Sequence, residues 1–298
     1  NTVTGYNPKE AVTFTDFTPS GGGSRTRFFI NGSNLETNDD NGNSLGDISG
    51  PFKDASVNCV DFMVYQDHDA NGHRCIYLSG WDTGIHKLDL VDQTYSLVIP
   101  KKYNEMRSFT FTDDGDTLLI PDDNGQASNS DRPNIYYGLR SENFQHLRPY
   151  HYGPCDYTIC SHPGDHTVFY QSWTNGGVYK VNGTYDSKTG KYKDKLLFSL
   201  SNFLNATGGI RENFILHPSG KYMYIVGQNI HAILRSNYNP TTKEFEYPTV
   251  VCGLPGSGGY EEGVGSAARL AYLFVEGCFV KNPEYVKEGK DDQYDFYW

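Results

Sequence analysis

Nine histidines and a set of paired carboxylates are the side chains of this sequence that could do acid–base or metal chemistry. His162 and His217 each precede a Pro-x-Gly turn. His86 and His231 each sit in a short Ile-His run, with Tyr179 in the matching place of Gly-Val-Tyr-Lys. Residues that return with a repeat usually build the repeat and not a catalytic centre. His68, His73, His146, His151 and His166 stand in no convincing ligand set. Asp67-His-Asp-Ala-Asn-Gly72 has the D-x-D-x-N-G opening of a calcium loop, but the bidentate Glu at the required spacing is missing. It reads as a polar hairpin, with Ca²⁺ as the alternative. The pairs Asp39-Asp40, Asp113-Asp114, Asp122-Asp123 and Asp291-Asp292 lie in turn-rich stretches and read as solvated turns. There is no G-x-S-x-G nucleophile elbow and no glycine loop opening a helix. No catalytic residue, metal site or cofactor is assigned.

The aromatic loops carry a different chemistry. Trp81 and Asp82 lie in Gly80-Trp-Asp-Thr-Gly84, and Trp173 and Asn175 in Ser172-Trp-Thr-Asn-Gly176. Arg148, Tyr150 and Tyr152 lie in the run from His146 to Gly153. A large ring on a turn is costly to expose unless something covers it. Flat aromatic faces stack on the C–H faces of sugars, and Asp, Asn and Arg hydrogen-bond hydroxyls. These seven residues are the candidate ligand-binding set. The competing reading has both tryptophans plugging interfaces between repeats.

The elements that must hold these loops are strands. Four times a short apolar run enters a polar Gly turn and leaves as another apolar run: around HDANG, TDDGD, SHPGDH and HPSGK. The turn glycines Gly72, Gly115, Gly164 and Gly220 lie 43, 49 and 56 residues apart. Several short strands per period of 40–55 residues predict a β-propeller, with units near 49–100, 101–153, 154–202, 203–252 and a partial fifth from 253. Only 267–274 could pass for a helical turn or two. The stretch 292–298 reads as a strand without a return partner. Six cysteines include no C-x-x-C pair. Buried thiols are the plainer reading, and Cys59–Cys75 across a hairpin is the pairing to check first.

Composition narrows the partners. Net charge is −11 and no Lys/Arg cluster exceeds a pair, so no nucleic-acid partner is expected. No apolar run approaches a membrane span of about 18 residues. The chain begins at Asn1 without Met, which fits a processed secretory protein.

Two motifs resemble known families. Pro19, Gly21–Gly23 and Gly32-Ser33-Asn34-Leu35 resemble the start of an immunoglobulin-like IPT/TIG domain, assigned to residues 1–42 and incomplete at that length. Pro255-Gly256, Gly259, Glu262-Gly263, Gly265 and Ala267-Ala268-Arg269 resemble the lead-in of an NHL propeller repeat, with Glu262 where Asp is usual. A propeller of this type over residues 43–298 would have six blades, of which five are visible. The combination resembles surface lipoproteins of Bacteroidetes-type bacteria. That resemblance implies a secreted, lipid-anchored protein of the outer-membrane surface. It also implies a non-catalytic role in binding glycans, or partners in a nutrient-uptake complex of the SusC/SusD type. A lyase or hydrolase working at the channel mouth, and a protein-docking scaffold, are the alternatives.

Overall fold

Each glycine-bearing polar turn joins two antiparallel strands in the computed structural model of the chain. It describes residues 27–31, 34–38, 44–47, 60–66, 68–80, 83–92, 94–101, 106, 108–121, 133–152, 158–172, 175–181, 185–186, 188, 191–192, 194–203, 212–227, 229–271, 278–290 and 292–297. Near the N-terminus β1 (Arg27–Asn31), β2 (Asn34–Asn38) and β3 (Ser44–Asp47) form a three-stranded antiparallel sheet. Asn31 at the end of β1 pairs with Asn34 at the start of β2.

Four sheets follow, three of four strands and one of five, one in each interval marked by the turn spacing. The first is β4 (Val60–Gln66), β5 (Cys75–Gly80), β6 (Gly84–Asp89) and β7 (Thr94–Pro100). The second is β8 (Thr110–Phe111), β9 (Thr117–Pro121), β10 (Ile135–Leu139) and β11 (Arg148–His151). The third runs β12 (Thr158–Ser161), β13 (Val168–Gln171), β14 (Gly177–Lys180) and β17 (Lys195–Ser199), with the hairpin β15 (Tyr185–Asp186) and β16 (Lys191–Tyr192) inserted before the last. The fourth runs β18 (Glu212–Leu216), β19 (Tyr222–Gly227), β20 (Ala232–Asn239) and β22 (Thr249–Gly253), with β21 (Glu244–Phe245) on the tip of β20. Finally β23 (Cys278–Lys281) pairs with β24 (Tyr294–Tyr297) around the short helix α1 (Pro283–Lys287). The C-terminal strand thus finds its partner behind it in the chain. The helix lies past the expected place, where Asn282 caps it by accepting from Glu284 N at 3.0 Å. At 265–267 there is a single 3₁₀ turn.

The apolar clusters lie between consecutive sheets, which is what makes the arrangement a propeller. Tyr77, Ile85 and Val98 of the first sheet pack on Phe109, Phe111 and Leu118 of the second. Leu119 and Ile135 pack on Ile159 and Tyr170, and Phe169 and Phe198 pack on Phe214 and Leu234. Burying each such side chain contributes about 1.5–3 kcal/mol. Burial also falls from inner to outer strand: β12 and β13 are buried throughout, whereas β7 is mostly exposed and β17 has one buried residue in five.

Every outer strand carries a β-bulge at one equivalent place. The register slips between Ile85 and His86, Ile135 and Tyr136, Val178 and Tyr179, and Ile233 and Leu234. A bulge twists an edge away from further pairing, which protects the rim from aggregation. It also corrects one equivalence read from sequence. His86 corresponds to Tyr136, Tyr179 and Leu234, so His231 lies three residues out of step with it. The cysteine expectation changes too. Cys75, Cys160 and Cys252 are buried free thiols, so Cys75 forms no disulfide with Cys59. Cys75 faces Gln66, at the far end of β4 from Val60, and a disulfide tolerates no such separation.

Candidate ligand-binding face

The register gives the propeller two distinct ends. Val60 pairs with Gly80, Thr158 with Gln171 and Glu212 with Gly227. Each first strand therefore starts where the second ends, and the third strands, from Gly84, Gly177 and Ala232, begin at that same connecting end. The polar Gly turns lie at the other end, where successive sheets hold one another. Gly164 N donates to Asp113 Oδ2 at 3.0 Å, and His166 Nδ1 lies 3.1 Å from Asp113 Oδ1. His162 Nε2 reaches Gly220 O at 3.0 Å, and its ring stacks on Tyr238 at 3.8 Å. His217 Nε2 reaches Asp292 Oδ1 at 3.0 Å, and its ring meets the edge of Phe279 at 4.7 Å. His162 and His217 are thus inter-blade latches, as their recurrence suggests.

The same latched end holds the one cluster of metal-type donors among the described residues: Asp69, His73 and Asp89. Asp69 Oδ1 accepts from Asn71 N at 2.8 Å and His73 N at 2.9 Å, so the DHDANG segment closes as a hairpin turn around its own acid. The remaining oxygens face the buried Lys87 ammonium, which pairs with Asp69 and lies 3.6 Å from Asp89. His73 Nδ1 sits 2.9 Å from Asp89 Oδ2, and that hydrogen bond raises the imidazole pKa. A lysine thus supplies the cationic charge that an ion would bring. Sequence reasoning missed this group because Lys87 and Asp89 arrive from β6, distant in the chain.

The connecting end, opposite the latches, is the candidate ligand face. Trp81, Asp82 and Trp173 lie outside the described residues. Asn175 is exposed on the 172–176 connection, where its Oδ1 accepts from Gly177 N at 2.7 Å and its Nδ2 donates to Tyr179 OH at 3.0 Å. Tyr152 follows His151, which faces Ile135 at this same end. Arg148 does not join them. It faces Tyr137 further along β10 and holds Glu142 through two bonds of 2.7 Å. Tyr150 lies at the bulge of that outer strand, 40% exposed, against the edge of Tyr137 at 6.4 Å. The four described candidates therefore divide, with Asn175 and Tyr152 at the connecting end and Arg148 and Tyr150 on the outer strand of the second sheet.

Two buried ionisable groups stand out in the sheets. Glu212 opens the innermost strand β18 at the connecting end, fully buried, with neither carboxyl oxygen hydrogen-bonded. Its carboxyl lies over Gly227, where a Cβ would come within 1.0 Å of Oε2. Burial raises its pKa well above the usual 4.5. His86 is satisfied by Thr83 and Tyr95, and burial pushes its imidazole down to about 4. No periodic signal marks Glu212, since no other inner strand repeats it in the pattern of turns. Among the described residues no helix is long and apolar enough to cross a membrane.

The four stacked sheets, with cores between them, define a β-propeller. The chain matches no family model and no curated protein. Among solved structures it is similar to an auxiliary nutrient binding protein from Bacteroides ovatus, at 26% identity and TM-score 0.62, over 79% of this chain and 51% of that one. It is also similar to an auxiliary nutrient binding protein from Bacteroides thetaiotaomicron, at 24% identity and TM-score 0.62, over 97% of this chain and 73% of that one. A third neighbour from Bacteroides thetaiotaomicron carries the provisional description of a phosphatase, at 22% identity and TM-score 0.61, over 94% and 69%. The chain spans about half the length of the Bacteroides ovatus protein.

Proposed function

We propose that this chain is the binding part of a non-catalytic cell-surface protein that captures glycan nutrients. The observation that carries the reading is the similarity to the two auxiliary nutrient binding proteins, one of them above a quarter identical. The organisation of the fold supports it. One end of the propeller is tied together by latches, and the described candidates Asn175 and Tyr152 lie at the other, where connecting loops commonly bind ligands. A secreted, lipid-anchored location at the outer membrane, a partner complex of the SusC/SusD type, an Ig-like start and closure into six blades belong to the same reading. The enzyme reading needs donors converging at the channel mouth, whereas the Asp69–His73–Asp89 group lies at the latched end with Lys87 already among them.

The test is a retardation screen of the intact protein in gels containing different polysaccharides. Trp81→Ala and Trp173→Ala should each weaken retardation about tenfold while leaving the melting temperature unchanged. An equal drop in stability in both variants would make the two rings packing residues.

A further inference from the structure

The glycine-rich lead-in at 253–270 is not only a connector. β22 ends at Gly253, opposite Ala232 at the start of β20, so the segment crosses the connecting end of the ring. It is tied down along its length. Gly256 N donates to Ile230 O at 3.1 Å, and Glu261 and Arg269 exchange two backbone bonds of 3.2 and 3.0 Å. Arg269 Nη1 donates to Ser266 O at 2.7 Å and Ala268 O at 3.0 Å. Ala268 and Leu270 are buried against Val226, Ile233 and Cys252. The two glycines before Tyr260 allow close seating. A Cβ at Gly258 would meet the His231 ring at 3.0 Å, and one at Gly259 would meet the Arg269 Cβ at 3.1 Å.

On this fixed base Tyr260 stands 73% exposed, the most exposed of the large hydrophobic side chains among the described residues. Val264 is 59% exposed on the same segment, and Glu261 and Glu262 flank the ring on its C-terminal side. Leaving a ring in water on a segment this well anchored offers nothing to stability. Its flat face suits the C–H face of a pyranose, and adjacent carboxylates accept hydrogen bonds from hydroxyls. The charge then selects among sugars. The exposed acid Glu261 beside the platform, on a chain of net charge −11, repels uronate or sulfate groups.

We propose that Tyr260, with Glu261, is a stacking subsite for an uncharged polysaccharide on the connecting face. The inference rests on the glycan-binding reading above and adds a site and a ligand class to it. The experiment runs the intact protein, Tyr260→Ala and Tyr260→Phe in native gels containing a neutral β-glucan, a neutral galactomannan, a neutral xylan, polygalacturonate or chondroitin sulfate. Thermal melts of all three proteins are recorded alongside. The expected result is retardation by at least one neutral polymer, weakened about tenfold in Tyr260→Ala, kept in Tyr260→Phe, with all three melting together. Unchanged neutral retardation in Tyr260→Ala overturns the subsite and leaves glycan binding standing. Stronger retardation by the two polyanions overturns the ligand class. No retardation of the intact protein in any gel overturns both this inference and the reading it rests on.

Discussion

Glu212 and His86 bend the stability of the protein in opposite directions with pH. Glu212 is held neutral by burial, so its native pKa lies above the unfolded value of about 4.5. The native state then binds more protons than the unfolded state above that pH. The contribution of Glu212 is complete below about 4.5 and is lost as pH rises. Glu212→Gln removes the titration. The variant should gain relative to the native protein between pH 5 and pH 8, and the two should converge near pH 4, measured by chemical denaturation. A constant difference across that range would mean the carboxyl is not held neutral. His86 works the other way. Its native pKa of about 4 lies below the unfolded value of 6.5, so the unfolded state takes up the proton first. Stability should fall as pH drops from about 6.5 toward 4, and His86→Phe should flatten that limb of the curve.

At the scale of elements, the turns between first and second strands are both hairpin connections and the contacts that hold blades together. Gly220 shows why the residue type is demanded. It sits at φ +73°, where side chains are disfavoured, and a Cβ would lie 2.7 Å from His162 Nε2. Gly220→Ala should cost roughly 1–3 kcal/mol, read as a lower denaturation midpoint with unchanged slope. An unaffected midpoint would show that His162 can move aside freely. The turn glycines were legible in the sequence because each needs the left-handed region, and Gly72, Gly115 and Gly164 share it at φ +80°, +70° and +88°. The outer-strand bulges were not legible. They depend on pairing between strands, and nothing in Leu97-Val98 or Leu196-Leu197 alone marks an extra residue.

For the whole molecule, the described sheets are held by contacts between sequence neighbours, blade to blade. His217 joins the fourth sheet to the C-terminal hairpin through Asp292 and through edge contacts with Phe279 and Tyr294. Removing it with His217→Ala should cost about 1–3 kcal/mol. Amide exchange should rise in β23 and β24 well before β18–β20 respond. A uniform rise across both sheets would mean that the hairpin and the fourth sheet open as one unit.

Alternation, turn chemistry and period were enough to announce an all-β propeller, because each depends only on residues a few positions apart. The resemblance of the 255–269 motif pointed the same way, and the aromatic loops could be named as candidates from residue type alone. Which candidates share a surface depends on strand register. Register turns Arg148 toward the rim of the second sheet, sets Asn175 at the connecting end, and leaves the Tyr260 ring exposed on a segment that read as a connector. Burial without a partner at Glu212, and the gathering of Asp69, His73, Lys87 and Asp89, likewise exist only once strands distant in sequence are paired. Local preference is written along the chain, whereas exposure, charge pairing and shared surfaces are properties of what packing brings together.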